Sequence, residues 1–79
     1  MLEPDAETTR QMAQLEAELA ALTEQRDAMA KRVRELMDAE DVRAGVCYAQ
    51  EIFAAKQEKL ALDTSVDIAR RRRNRLLLA

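Results

Sequence analysis

The stretch "MAQLEAELAALTEQRDAMAKRVREL", residues 12–36, decides the fold. Met12, Leu15, Leu19, Leu22, Met29, Val33 and Leu36 recur at alternating steps of three and four, the spacing that lays one apolar seam along a helix. With Met12, Leu19, Arg26 and Val33 as a positions, the d row is Leu15, Leu22, Met29 and Leu36, the leucine-rich pattern that paired helices favour. Thr8 extends the row by one position. Arg26 is its polar member, read as a register-fixing residue whose stem packs while its guanidinium reaches water; ligand binding is the other reading.

Outward from this seam the chain stays helical in character. Among 79 residues there is one glycine, one proline, one tyrosine, one phenylalanine and no tryptophan, so the turn and β-forming residues that sheets need are missing. Charged residues at 35% supply wet helix faces. Pro4, Asp5 and Glu7 suit a helix beginning near residue 6. The expected fold is all-α, a hairpin of two long helices with coiled-coil-like packing. Its first helix covers about residues 6–39, a turn falls within 39–46, and a second helix covers about 46–77. An unbroken rod is the competing architecture.

The turn is expected in "MDAEDVRAGVCYAQ", residues 37–50, where two stops compete. Gly45 could end the first helix after Arg43 and Ala44, or Asp41 could cap the second after a break near Ala39. Beyond it, Val46, Ala49, Phe53 and Leu60 form one stripe, and Tyr48, Ile52, Ala55, Leu62, Val66 and Ala69 form another rotated around the helix. One stripe would meet the first helix and the other a second chain. Ile52, Phe53, Leu60, Leu62 and Val66 are expected to carry the facing surface. Asp63, Thr64 and Ser65 are N-cap types, so a kink or short break is expected near Asp63.

A single domain of this size struggles to bury enough core alone, which points to a homo-oligomer, a protein partner, or both. Net charge is only −2 but unevenly spread: residues 1–24 carry six acids against Arg10, whereas Arg70, Arg71, Arg72, Arg73 and Arg75 crowd the C-terminus. Folding back at residues 41–43 would make facing residue numbers add up to roughly 84, setting those arginines opposite Thr9–Gln14, between Glu7 and Glu16. Leu76, Leu77 and Leu78 then need a cover, which Met1 and Leu2, another subunit or a client protein could provide. The basic-apolar end reads as a docking site for protein first and nucleic acid second. Against nucleic acid stand the pI of about 5.1 and the lack of interleaved aromatics. A membrane role is not expected from one short basic-apolar turn.

Chemistry is sparse. With no histidine, no glycine-rich phosphate loop and one cysteine, the sequence offers no catalytic constellation, zinc set or intrachain disulfide. No cofactor and no small-molecule substrate are expected. Cys47 reads as a small semi-buried apolar residue. The acidic N-terminus lacks a signal-peptide pattern, which fits a cytoplasmic protein or part of an assembled particle.

The run Leu15–Met37 loosely resembles the first helix of the helical chorismate mutases, with Arg26 at the place of an active-site arginine. The lysine that family carries about three turns later is Met37 here, so the activity would lack its second cation. In length, acidity and absence of chemistry the chain is also similar to small helical-hairpin co-chaperones of type III secretion systems and to small helical parts of bacteriophage particles. The expected function is non-enzymatic: an assembly, adaptor or co-chaperone-like module that oligomerises or binds a partner through its heptad face. The alternative is a nucleic-acid-binding regulator or packaging factor using the arginine cluster.

Overall fold

In the computed structural model, which describes residues 5–78, the chain forms two helices that fold back on each other as an all-α hairpin. Helix α1 spans Ala6–Ala39 and α2 spans Ala49–Leu78. The rod is 66 Å long and 15 by 14 Å across. Asp5 begins α1: its backbone is extended, and its carboxylate accepts the Thr8 amide at 2.7 Å, satisfying one of the donors that an isolated helix start leaves open. That bond holds the Asp5 carboxyl below its ordinary value of 3.8. Glu7 adds an acid in the first turn, where the helix dipole favours one.

Helix α1 stops at Glu40, whose backbone leaves helical geometry at φ −65°, ψ 138°. The connection is a small closed loop. Asp41 and Val46 exchange two backbone hydrogen bonds, at 3.1 and 2.8 Å, while the Asp41 carboxylate accepts the amides of Arg43 and Ala44. Gly45 donates its amide to the Val42 carbonyl at 3.2 Å, and its left-handed step, φ +74°, turns the chain so that Val46 can pair with Asp41. Glu40 then reaches forward, its carboxylate accepting the Tyr48 amide at 3.1 Å just before α2.

The break falls at Ala39, as one of the two expected stops has it, but the roles expected of Gly45 and Asp41 are corrected. Gly45 sits inside the loop rather than at the end of α1, and Asp41 closes its own turn rather than capping the second helix. The loop also reaches further than residue 46, so α2 begins at Ala49. A side chain of Asp, Asn, Ser or Thr serves a turn as readily as a cap, and only the surrounding backbone decides which.

Helix α2 runs through Asp63 unbroken. The Thr64 and Ser65 hydroxyls donate back to the carbonyls of Leu60 and Ala61, at 3.2 and 3.1 Å, and so sit inside a helix without starting one. Asp63 is held by Lys59 one turn earlier, at 3.0 Å.

The seam between the helices alternates by three and four on both sides. On α1 it comprises Met12, Leu15, Leu19, Leu22, Arg26, Met29, Val33 and Leu36, all half-buried except Leu36, which is buried. On the other side it comprises Tyr48, just before α2, and Ile52, Ala55, Lys59, Leu62, Val66, Ala69, Arg73 and Leu76 of α2. Its best-covered members are Leu36, Ala55, Val66 and Ala69. Two are alanines facing the bulkier α1 row, so large residues on one helix interlock with small ones on the other. Phe53 and Leu60, expected on the facing surface, instead stay 64% and 60% exposed. They lie one position round the helix from the seam row Ile52–Lys59–Val66, far enough to turn them out of a two-helix contact.

The register also differs from expectation. Arg26 Nε lies 3.7 Å from Asp63, and Arg73 Nη1 lies 3.8 Å from Glu16, so facing numbers add up to about 89. The loop is centred near residue 44 rather than 41–43, which slides α2 along α1. The arginine run therefore faces about residues 14–19, not 9–14.

Candidate interaction surfaces

The last two turns of α2 lie along the acidic start of α1. Between them runs a groove of about 620 Å³ lined by Gln11, Gln14, Leu15, Glu18, Arg72, Arg75 and Leu76. Its floor is apolar, from Leu15 and Leu76, and its rim carries two guanidinium groups beside Glu18. Successive helical residues point about 100° apart, and this splits the arginine run into separate roles. Arg73 falls on the seam, 27% exposed and 3.8 Å from Glu16, with its Nε buried and unmatched by any protein acceptor. Arg70 approaches Asp67 at 3.9 Å. Arg71, Arg72 and Arg75 are exposed.

Of the three terminal leucines, Leu76 forms the last rung of the seam and is half-buried, whereas Leu77 and Leu78 are 64% and 88% exposed. The cover expected from Met1 and Leu2 lies outside the described residues. Glu7 does not reach the arginine run; it pairs with Arg10 at 3.3 Å on its own helix. A surface of this kind, planar guanidinium groups around an apolar floor, suits carboxylates presented on an amphipathic segment, and the same donors suit phosphate.

Midway along the rod the seam carries charge. Arg26 contacts Asp27 at 3.2 Å and Asp63 at 3.7 Å, and Asp63 also accepts from Lys59. Arg26 and Lys59 are both seam residues, so two cations meet across the interface with Asp63 between them. These side chains remain 29–38% exposed, and each pair contributes on the order of 1 kcal/mol or less. Sequence reading missed Asp63 in this role, because a helix read alone shows no partner across the hairpin. Only the register of α2 against α1 brings it to Arg26.

One flank of the rod carries exposed large apolar side chains on both helices, interspersed with Lys56, Lys59 and Asp63. Leu60 borders a groove of about 450 Å³ with Ala30, Val33, Lys56, Gln57, Lys59 and Asp63. Phe53 lies one heptad earlier on the same face of α2, and Met37, 53% exposed, continues the flank on α1. Met37 was legible in the sequence as a bulky apolar residue beside the seam, yet only the exposure of Phe53 and Leu60 gives it companions. Further along, Glu16, Leu19, Ala20, Thr23, Glu24 and Asp27 line a shallower acidic groove of about 500 Å³ on α1.

Cys47, expected to be semi-buried, is an exposed thiol in the loop. Among the described residues no group of three or more cysteine, aspartate or glutamate side chains converges as a metal site, and no helix is long and apolar enough to cross a membrane. No protein-family model matches the chain, and neither a curated protein nor a solved structure matches it.

Proposed function

We propose that this chain is a non-enzymatic protein–protein interaction module: a helical hairpin that self-associates and presents the Arg70–Leu78 end to a protein partner. The observation that carries the reading is the apolar surface left over once the hairpin seam is complete. Met37, Phe53, Leu60, Leu77 and Leu78 are all more than half exposed. Large apolar residues clustered outside a satisfied core mark association surfaces. Because the heptad row of α1 is consumed within the hairpin, partners meet the molecule through its flank and its arginine end.

Assembly, adaptor or co-chaperone-like roles all fit such a module, in the cytoplasm or within a particle. A coiled-coil-like rod provides a stiff spacer of defined length between the loop and the docking end. The second reading, a nucleic-acid-binding regulator or packaging factor, is favoured by the exposure of Arg71, Arg72 and Arg75. Against it, Arg73 is turned into the seam and Arg70 is paired with Asp67, so fewer arginines reach a phosphate backbone than the sequence run suggests.

Size-exclusion chromatography with light scattering, at low and high salt and with or without duplex DNA, separates the two. A defined, salt-insensitive oligomer that ignores DNA is expected. A species that moves onto DNA at low salt and leaves it at high salt replaces this reading with the alternative.

A further inference from the structure

We infer that the flank bearing Met37, Phe53 and Leu60 packs against the same flank of a second copy running antiparallel, closing a two-fold four-helix bundle. This rests on the reading of the chain as a self-associating module, and names the face, the occupant and the orientation. The first support is area. The chain exposes 6329 Å², whereas a compact fold of 9.0 kDa exposes about 4,850 Å². Covering the difference on two copies would bury about 3,000 Å², within the range of obligate homodimers.

The choice of flank follows from what lies on each side of the rod. The Phe53 flank also carries Lys56, Gln57, Lys59 and Asp63, but these border a groove floored by Ala30 and Val33 beside Leu60, into which a side chain from another helix can insert. The opposite flank presents Glu18, Gln25 and Arg32 from α1 and Glu51, Glu58 and Arg72 from α2, all exposed. Ile68, 46% exposed, is the large apolar residue there and has no counterpart on α1.

Symmetry sets the orientation. Phe53 and Leu60 are one heptad apart, so a two-fold axis crossing α2 between Lys56 and Gln57 sets Phe53 of each copy opposite Leu60 of the other. In the hairpin register Met37 lies level with Ile52, so the second copy's Met37 also arrives at the level of Leu60. Met37, Phe53 and Leu60 of each copy then each meet a large apolar residue of the other.

Charge favours the same arrangement. A parallel pair would set the arginine-rich ends side by side. The antiparallel pair separates them and brings the exposed Glu40 and Asp41 of each copy within about 10 Å, along the rod, of Arg70 in the other.

The test combines sedimentation over a concentration series with a spin–spin distance between nitroxide labels on Cys47, the exposed thiol. The expected result is a dimer whose labels lie about 28 Å apart along the rod, against about 10 Å across it for a parallel pair. Leu60→Glu should raise the dissociation constant on the order of a hundredfold, since two copies each lose a buried leucine. It should leave helicity unchanged, because Leu60 lies outside the seam. Ile68→Glu, on the other flank, should leave the dimer intact. If Leu60→Glu loses helicity, Phe53→Ala must weaken the dimer in its place.

A dimer indifferent to both flank substitutions, or labels at the parallel spacing, overturns this face or orientation while the self-associating reading stands. A chain that stays monomeric at every concentration overturns both.

Discussion

Val66→Ala is the sharpest test of the seam. Val66 is the best-covered large side chain, 1% exposed, at the centre of the α2 row. Truncation removes two methyl groups from that site, worth about 1.6 kcal/mol of transfer free energy. A residual space of about 50 Å³ would add about 1 kcal/mol if nothing moved in. Alanine is the better helix former and returns about 0.5 kcal/mol. The net loss is about 2 kcal/mol, or about 10 °C in melting temperature for a domain of this size.

Val42→Ala provides the matched control. It deletes the same two methyl groups from a loop position that is 92% exposed, so its expected effect is close to zero. The assay is thermal and urea unfolding followed by far-ultraviolet circular dichroism, at one protein concentration so that self-association contributes equally. If Val66→Ala melts with the wild type, or if Val42→Ala costs as much, the assignment of the α2 seam is wrong and the helix is rotated about its axis relative to α1.

Three further outcomes follow from local geometry. Asp63→Ala leaves Arg26 and Lys59 facing each other without their shared acid; a loss of about 1 kcal/mol is expected at low salt, shrinking at high salt, and a salt-independent loss would sink the electrostatic account. Gly45→Ala meets no neighbouring atom but keeps a left-handed φ, so urea unfolding should show a loss of about 1–2 kcal/mol that Gly45→Asn partly restores. Asp5 bonds the Thr8 amide in its charged form, and its folded pKa lies below the unfolded one. Its contribution is therefore present above the unfolded value of 3.8 and is lost as pH falls through the lower folded value. Hydrogen exchange at the Thr8 amide should speed up in Asp5→Ala at neutral pH, and equal protection in both proteins would remove the cap from the account.

The sequence alone determined the all-α class and favoured the hairpin over an unbroken rod, because its signals are local. Alternation by three and four from Met12 to Leu36 depends only on helix geometry, and a near-absence of glycine, proline and aromatics leaves no other regular structure. The interruption between the helices was legible in Asp41 and Gly45 for the same reason, since both residue types favour turns and Gly45 is the one glycine in the sequence.

What these residues do in the turn was decided by the tertiary structure. Asp41 accepts amides from its own loop, Glu40 bonds Tyr48, and the helices restart at Ala49; each depends on how the strands of the loop meet. The offset of α2 along α1 follows from that loop, and with it every cross-helix partner: Asp63 at Arg26, Glu16 at Arg73. Two apolar stripes ran along α2 in sequence, and both were expected to find a neighbour. Packing chose the row of Ala55, Val66 and Ala69, whose small side chains nest against the leucines of α1, and it turned the bulkier Phe53 and Leu60 outward.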